Sequence, residues 1–221
     1  MEQKPVAIFY HTYWSSGEIP CNRDNTIRLY CEQMDTMNFL GLRDTAQHLT
    51  VGVSGSEEDF GMAQSIVAWP NIHFLHNKTG VGELPTMKCM QDWCKKHPGF
   101  AVLYFHTKGA IHNGNPVYEL WRRCMEKAVL YKWRSCVEDL SLRKLDSAGA
   151  HWLRPNQYPI IGRTPYWGGN FWWATSDFLN TLPPIDVTLS RYEAEVWIGR
   201  GPRPPRVRDY CPHWPMSKCS P

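Results

Sequence analysis

Residues 100–109 read Phe-Ala-Val-Leu-Tyr-Phe-His-Thr-Lys-Gly. The six mostly apolar residues at the start predict a strand buried on both faces, as in parallel sheets that are covered by helices. The polar residues that follow, from His106 to Gly109, would then lie just beyond the carboxyl end of that strand. Ligands of open parallel sheets bind beyond those ends, so the segment predicts such a sheet and a polar site at its edge.

The sequence before this segment repeats the order of strand, polar loop and helix. Further strands are predicted at 6–10, 49–53 and 72–75. Asn25 is suited to cap a helix that stops at Gly41. Pro85 is suited to start another helix that ends near 97–99, and a loop is predicted at 54–59. Four strand units of this kind favour an α/β domain with a mainly parallel central sheet.

The sequence after this segment is less regular. Residues 115–142 hold the longest helical pattern, and the C-terminal third alternates aromatic-rich strand candidates with Pro/Gly turns. We find no linker, repeat or low-complexity block. With 221 residues, 43% hydrophobic and 20% charged, the chain is predicted to fold as one domain, 1–221, without extensive disorder.

The charge distribution indicates little about partners. The net charge is +3 and the basic residues are dispersed, so the chain lacks the basic face that is typical of nucleic-acid-binding proteins. The exception is Arg200 to Arg208, where four arginines stand among prolines and could either follow a phosphate chain or keep a surface loop soluble. No signal peptide or membrane span is predicted, so we expect a cytoplasmic location.

The eight cysteines lack the Cys-x-x-Cys spacing of zinc sites and redox pairs. Cys94, Cys124 and Cys136 fall in helical patterns among apolar residues, where a thiol acts as a small hydrophobe. Cys211 and Cys219 could pair in an oxidising compartment, but nothing else in the sequence indicates one. We therefore expect free thiols in a reducing cytoplasm.

The loop at 106–109 suits a diphosphate. Lys108 can neutralise a phosphate, His106 can donate a hydrogen bond to one, and Gly109 lets backbone amides approach it. A polar turn after a buried strand would have the same residues, so both interpretations stay open.

Residues 166–174 read Tyr-Trp-Gly-Gly-Asn-Phe-Trp-Trp-Ala and suit a carbohydrate. Aromatic rings stack on the apolar faces of sugars, and an amide can hydrogen-bond their hydroxyls. Because alternate residues of a strand face opposite sides, Asn170 and Trp172 are predicted to face the site. Phe171 and Trp173 are predicted to fill the core. Packing alone could also explain either tryptophan.

Residues 191–198 predict a short helix that carries two carboxylates, Glu193 and Glu195. These point in different directions because they are two residues apart. One of them can face a cleft, where it could act as general base for an acceptor hydroxyl or hold that hydroxyl in place. A surface pair with Arg191 is the alternative.

Four blocks of the sequence resemble a known group of proteins. They read Leu-Tyr-Phe-His-Thr-Lys-Gly at 103–109, Trp-Arg-Arg-x-Met-Glu at 121–126, Gly-Asn-Phe-Trp-Trp-Ala at 169–174 and Arg-Tyr-Glu-Ala-Glu-Val-Trp-Ile-Gly at 191–199. In order and spacing they resemble small GT-A-like glycosyltransferases of bacteria, phages and large viruses, a sparsely characterised group distantly similar to rhamnan synthesis protein F. The likeness covers roughly residues 5 to 200.

The resemblance implies a single GT-A-like, Rossmann-like α/β domain. Its nucleotide-sugar-binding half would be 1–110, its acceptor side 111–200, and 201–221 would be a Pro/Arg-rich tail. The implied activity is transfer of a hexose from a nucleoside diphosphate sugar, UDP-hexose above all, to a hydroxyl acceptor. The acceptor would be a glycan or a hydroxymethylated base in phage-type DNA, and such a base would have to flip into an aromatic pocket.

Residue chemistry and the resemblance together suggest roles for individual residues. Donor-binding positions would be His11, Thr12, Lys78, His106, Thr107, Lys108 and Gly109. Sugar-binding or acceptor-binding positions would be Trp167, Gly169, Asn170, Trp172 and Arg191. Catalytic positions would be Glu195, Glu193 and His106. A glutamate would be the base if the reaction inverts, and an orienting group if it retains.

One departure from the group concerns metal. GT-A enzymes typically hold a divalent ion through Asp-x-Asp at the end of the middle strand, where this chain has His106-Thr107-Lys108. We therefore predict that no metal is required and that Lys108 neutralises phosphate in its place. The alternative is Mn²⁺ or Mg²⁺ held by His106 with help from His11.

Two other classes of function remain open. A non-catalytic carbohydrate-binding protein would use the same aromatic pocket without needing the loop at 106–109. A metal-dependent hydrolase that uses the nine histidines is less favoured, because their spacing fits no known metal motif. The sequence does not predict the oligomeric state.

Overall fold

A computed structural model describes residues 3–14, 22–67, 69–77, 82–112, 114–154, 164–190 and 192–212. The strands in this part of the chain are β1 Val6–Tyr13, β2 Ala46–Ser54, β3 Ile72–Asn77, β4 Ala101–His106, β5 Ser147–Gly149, β6 Trp152–Leu153, β7 Tyr166–Trp167, β8 Trp172–Thr175 and β9 Val207–Asp209. The α-helices are α1 Arg23–Phe39, α2 Leu42–Thr45, α3 Glu57–Ile66, α4 Leu84–Lys96, α5 Pro116–Glu126, α6 Trp133–Ser141, α7 Ser176–Leu179 and α8 Tyr192–Val196. Short 3-10 turns lie at Ala110–His112 and Trp197–Gly199, and a π-helical turn lies at Lys127–Tyr131.

Seven of these strands form one sheet in the order β3-β2-β1-β4-β8-β5-β9. Strands β1 to β4 run parallel to one another, whereas β8 runs antiparallel to both β4 and β5. Strand β9 is parallel to β5, and β6 pairs with β7 in a separate two-stranded ribbon. The predicted α/β fold with a mainly parallel central sheet is confirmed.

Apolar residues point to both sides of the central strands, so helices cover both faces of the sheet. In β1, Val6, Ile8 and Tyr10 pack into a first core with α1, α5 and α6. Ala7 and Phe9 pack into a second core with α4, α7 and α8. No helix in the described ranges is both long and apolar enough to cross a membrane.

Two boundaries differ from the sequence prediction. Asn22 caps α1 by accepting a hydrogen bond from the Asn25 backbone N–H (3.2 Å), so Asn25 lies in the first turn and is not the cap. The loop predicted at 54–59 ends at Ser56, where α3 begins. There the Ser56 and Asp59 side chains each accept from the other's backbone N–H, which satisfies two of the unpaired donors at the start of a helix.

The helical pattern predicted for 115–142 forms two helices. Asn115 caps α5 by accepting from the Val117 backbone N–H (3.0 Å), and Pro116 takes the first helical position. The π-helical turn then separates α5 from α6. Beyond this turn, α6 packs on the first core through Trp133, Cys136, Val137 and Leu140.

Candidate functional site at the carboxyl edge of the sheet

Polar residues of neighbouring strands meet at the carboxyl edge of the parallel half of the sheet. In register, Tyr13 of β1 lies beside Ser54 of β2, which lies beside Asn77 of β3. The Asn77 amide donates to Ser54 Oγ (2.9 Å), and both side chains donate to the Gly82 carbonyl oxygen (2.7 and 3.1 Å). These bonds tie the strand ends to the segment that leads into α4.

The loop that leaves β4 is held against β1. His106 lies beside His11 in register, and the Thr107 backbone N–H donates to the His11 carbonyl oxygen (3.0 Å). The Thr107 hydroxyl oxygen accepts from the Tyr13 backbone N–H (3.0 Å), so this side chain is buried and serves the fold. Gly109 then turns the chain with a left-handed backbone (φ 90°).

His11 presents a ring nitrogen at the end of β1 that no described residue hydrogen-bonds. Its Nδ1 lies 2.8 Å from Thr86 Oγ1, whereas its Nε2 has no such partner. Thr86 can approach because β2 has Gly52 there, where a Cβ would lie 1.8 Å from Thr86 Oγ1. Burial and the nearby His106 lower the pKa of His11 to about 3, so the ring is neutral at physiological pH. The Thr12 hydroxyl also lacks a partner within the described ranges.

His106 holds the backbone of Gly169. Its Nε2 lies 2.9 Å from the Gly169 carbonyl oxygen, so we assign the ring proton to Nε2, which then donates. Burial and the charge of Lys108 lower the pKa of His106 to about 4. The structure thus gives His106 a positioning contact, and its predicted part in catalysis stays a prediction.

Three elements converge beyond β4 in a group that we call the cleft cluster: Lys108, Trp121 and Glu195. The Lys108 ammonium lies 4.0 Å from Glu195 Oε1 on α8 and 4.3 Å from the ring centroid of Trp121 on α5. The Lys108 and Glu195 side chains are 17% and 22% exposed. A cation above an indole face is stabilised by the ring electrons. This group therefore offers a positive and a negative charge, both reachable by a ligand.

Glu193 faces away from this cluster. It forms an ion pair with Arg200, whereas Glu195 faces Lys108. The two carboxylates diverge as predicted, and Glu195 is the one that faces Lys108.

Glu83, which directly precedes α4, is a carboxylate that the sequence prediction missed. Its Oε2 accepts hydrogen bonds from the Tyr104 hydroxyl (2.6 Å) and the Asn170 amide (3.1 Å). Burial raises the pKa of Glu83, while Tyr104, the charge of Lys108 and Asn170 act in the opposite direction. The sequence offers no signal for this role, because an acidic residue at the start of a helix is favourable for the helix itself.

Asn170 is buried, whereas the sequence predicted that it would face a sugar. It precedes β8 with a left-handed backbone (φ 59°), a conformation that Asn tolerates better than most residues. Its amide donates to Glu83, and its Oδ1 accepts from the Trp172 ring N–H (2.6 Å). The prediction treated this residue as part of the strand, and the turn directs it inward instead.

The two tryptophans predicted to contact sugar are also buried. Trp172 packs against Tyr104 (ring centroids 5.3 Å apart) and Trp167 against Trp152 (4.8 Å), and neither Trp172 nor Trp167 has exposed surface. Trp172 and Trp173 lie in opposite cores, so the predicted alternation along the strand is confirmed. The predicted exposure of Trp172 is wrong because helices cover both faces of the sheet.

The remaining predicted residues have different outcomes. Gly169 has a left-handed backbone (φ 86°), and a Cβ there would lie 2.5 Å from Met125 Sδ, so glycine is required by its packing. Phe171 lies in the first core as predicted. Lys78 and Arg191 lie outside the described residues, and their roles stay predictions.

A second polar group contacts the end of β4 through the His106 carbonyl oxygen. We call it the buried network, and it consists of Tyr10, Gln33, Arg122 and Glu126. Gln33 accepts from the Tyr10 hydroxyl (2.7 Å) and donates to Glu126 Oε1 (2.7 Å), which also accepts from Arg122. Gln33 donates as well to the His106 carbonyl oxygen (3.3 Å). Burial raises the pKa of Glu126, and the charge of Arg122 opposes that rise. The network thus fixes the start of the loop that carries Lys108.

The arginines of the C-terminal segment bind carboxylates of the same chain. Arg203 and Arg206 both contact Asp146 Oδ2, at 2.7 and 3.4 Å, and Arg200 pairs with Glu193. Three of the four arginines between 200 and 208 are therefore engaged within the protein. This arrangement weakens the interpretation that the segment follows a phosphate chain.

Comparison with known proteins gives a family but no activity. No curated protein matches the chain. A solved structure from Desulfovibrio desulfuricans G20, which carries the provisional name nucleotide-diphospho-sugar transferase, is 13% identical with a TM-score of 0.47. The match covers 95% of this chain and 80% of that one. A family model described as Domain of unknown function (DUF8361) matches residues 9–187, and the chain therefore belongs to that family.

Proposed function

We propose that this chain transfers a glycosyl group from a nucleoside diphosphate sugar to a hydroxyl acceptor. The observation that carries the proposal is the cleft cluster, where Lys108 and Glu195 face each other 4.0 Å apart beyond the carboxyl end of β4. A fixed cation suits the diphosphate of a donor, and a carboxylate suits the proton of an acceptor hydroxyl. The resemblance of four sequence blocks to GT-A-like glycosyltransferases supports the same reaction.

The donor would lie between the end of β1 and Lys108. His11 Nε2 and Thr12 Oγ1 lack partners among the described residues, but both side chains are buried (2% and 0% exposed), so a donor would reach them only if the residues around the end of β1 move. A neutral imidazole and a hydroxyl can hydrogen-bond ribose or phosphate oxygens without adding charge. Lys108 would then supply the positive charge, with Lys78 as a second phosphate contact. UDP-hexoses are the first donors to test.

The residues at the end of β4 do not fit a divalent cation. Residues 106–109 contain no carboxylate, Lys108 is itself a cation, and the His106 N–H is engaged by a carbonyl oxygen. Mg²⁺ in particular is usually held through carboxylates. We therefore keep the prediction that Lys108 neutralises the leaving diphosphate without a metal ion.

The reaction would use the two charges of the cleft cluster in turn. In the free protein Glu195 faces Lys108, and a bound diphosphate would compete for that lysine. Glu195 could then accept the proton of the acceptor hydroxyl while the oxygen of that hydroxyl attacks the anomeric carbon. The bond from that carbon to the phosphate oxygen breaks, and the nucleoside diphosphate leaves with the electron pair beside Lys108. This route inverts the anomeric centre.

We propose a glycan hydroxyl as the acceptor in preference to a DNA base. The arginines that could have followed a DNA backbone pair with Asp146 and Glu193. Binding that depends on phosphate contacts weakens steeply with salt. Strong salt-sensitive binding of duplex DNA would reverse this preference. The alternative of a non-catalytic sugar-binding protein loses its main support, because Trp167 and Trp172 have no exposed ring.

Calorimetry with UDP, other nucleoside diphosphates and their sugars tests the proposal, with EDTA and with Mn²⁺. We expect binding of at least one of them in EDTA. Lys108→Ala should weaken it by about tenfold or more, since a hydrogen bond to a charged group contributes about 1.5–3 kcal/mol. Lys88→Ala, in an exposed pair with Asp92 on α4, is the matched control and should bind as the wild type does. No affinity of the wild type for any nucleotide would overturn the proposal.

A further inference from the structure

A second group of reactive side chains lies on the β5–β9 side of the sheet. Cys124 of α5, His151 after β5 and Cys211 after β9 place one ligand atom each, two thiol sulfurs and a ring nitrogen, within 4.8 Å of one another. These residues are 27 and 60 positions apart along the chain, so their meeting is a product of the fold. The spacing of the cysteines alone had predicted no metal site.

The register of two parallel strands creates this meeting. Gly149 of β5 pairs with Asp209 of β9. His151 and Cys211 each follow two residues later, so they arrive side by side. His151 has a left-handed backbone (φ 62°), which is uncommon outside glycine and marks a constrained position.

One carboxylate fixes the backbone of two of the three residues. Asp209 Oδ1 accepts from the backbone N–H groups of His151 (3.0 Å) and Cys211 (2.9 Å), and Oδ2 accepts from that of Trp152 (2.8 Å). Asp209 therefore orients the two ligands through their backbone, and not through their side chains as outer-shell carboxylates of metal sites usually do. It also adds negative charge where a cation would bind.

We propose that Cys124, His151 and Cys211 bind one Zn²⁺ ion. Two thiolates and an imidazole are a preferred donor set for zinc, at about 2.3 Å from sulfur and 2.0–2.1 Å from nitrogen. Tetrahedral ligands at those lengths lie about 3.5–3.8 Å apart, so the ligand atoms would move together by about 1 Å on binding the ion. The fourth position is open to water or another donor.

Both cysteines would bind the ion as thiolates, so metal binding would release their protons. Two adjacent thiolates repel each other, and a divalent cation between them replaces that repulsion with attraction.

The inferred ion would be separate from the proposed transfer reaction and would stabilise the fold. It would join α5 to the β5–β9 edge, and α5 also carries Trp121 and Arg122. A metal that binds the folded state alone adds its binding free energy to stability. The apoprotein should therefore unfold at a lower temperature than the zinc form.

Titration of the reduced, metal-free protein with Co²⁺ and then Zn²⁺ tests the inference without any need for activity. We expect one equivalent of Co²⁺, thiolate-to-cobalt charge-transfer absorption, the intense visible bands of tetrahedral cobalt, and their loss on adding Zn²⁺. Cys124→Ser and Cys211→Ser each retain one thiolate, so their charge-transfer bands should be much weaker than those of the wild type, and Zn²⁺ should raise their melting temperature less. Cys89→Ser on α4 is the matched control and should keep both.

Asp209→Asn should retain the cobalt spectrum and bind zinc about 10–100-fold more weakly, as expected for a group that orients ligands. Circular dichroism of each variant shows whether it is folded. Three outcomes would overturn the inference: no stoichiometric metal in the reduced wild type, wild-type binding by folded Cys124→Ser, or charge-transfer bands of wild-type intensity in folded Cys211→Ser.

Discussion

The buried network and the cleft cluster lie close together and share helix α5, yet they differ in how completely their charges are matched. Arg122 is fully buried and contacts the carboxylates of Glu126, Glu32 and Glu119. Its neighbour Trp121 points to the cleft, where Lys108 has its carboxylate at 4.0 Å and remains partly exposed. Buried charges must be satisfied by the protein itself. A partly exposed charge whose partner lies 4.0 Å away remains available to bind a ligand.

The largest expected effect comes from breaking the buried network. Arg122→Met should lower the free energy of unfolding by about 3–5 kcal/mol at neutral pH, because it leaves Glu126 buried without its cation. Arg123→Met is the matched control. Its side chain is 52% exposed, so its pairs with Glu119 and Glu32 should contribute about 1 kcal/mol or less. Denaturant unfolding measures both, and equal losses would contradict the distinction between the two regions.

The next effect concerns turnover at the cleft cluster. Glu195→Gln should lower kcat by about 10²–10⁴-fold, the usual contribution of a general base, with little loss of donor affinity or stability. Glu193→Gln, which breaks the pair with Arg200, should leave kcat close to that of the wild type. Initial rates of nucleoside diphosphate release measure the difference. A normal rate in Glu195→Gln would limit Glu195 to orienting the acceptor.

The smallest effect is a pH dependence of stability at the end of β1. The pKa of His11 is about 3 in the folded chain and about 6.5 when unfolded, so the unfolded state binds the proton first. The folding stability that depends on the neutral ring of His11 is therefore fully present above pH 6.5 and is lost as the pH falls from there towards 3.

The carboxyl groups of Glu83 and Glu126 have raised pKa values, so their titration stabilises the folded state as the pH falls, which is opposite to the effect of His11. The contribution of His11 is therefore isolated by comparing the wild type with a variant that lacks this histidine. Between pH 6 and 4.5 the unfolding free energy of the wild type should change by about 1.4 kcal/mol per pH unit more than that of His11→Asn. Urea unfolding across this range measures both slopes. Parallel slopes would show that the ring is not buried as a neutral group.

The parallel half of the sheet could be predicted because each of its units is local. Strands β1 to β4 are apolar runs with polar exits, and their alternation with helices predicts a parallel sheet, although not the pairing of β4 with β1. The other half of the sheet could not be predicted. Strands β5, β8 and β9 have only three or four residues each, and they pair across long stretches of chain. So short a run carries too little periodicity to identify a strand.

The candidate site shows the same division. Lys108 and the two glutamates of α8 could be found because charge at a strand exit or on a short helix is visible in the sequence. Thr86 and Glu83 could not be assigned to the site, since their positions depend on how α4 packs over β1 and β2. Gly52 allows that close approach, and its effect is seen only between two strand units.

The sequence by itself determined the class of fold, the polar strand exits and the alternation of Trp172 and Trp173. These follow from backbone periodicity, which requires no knowledge of distant residues. Only the tertiary structure decided that Glu195 faces the cleft, that Asn170 and Trp172 are buried, and that Cys124, His151 and Cys211 meet. Local pattern determines which way a side chain points, but what lies opposite it depends on elements that are remote in the chain.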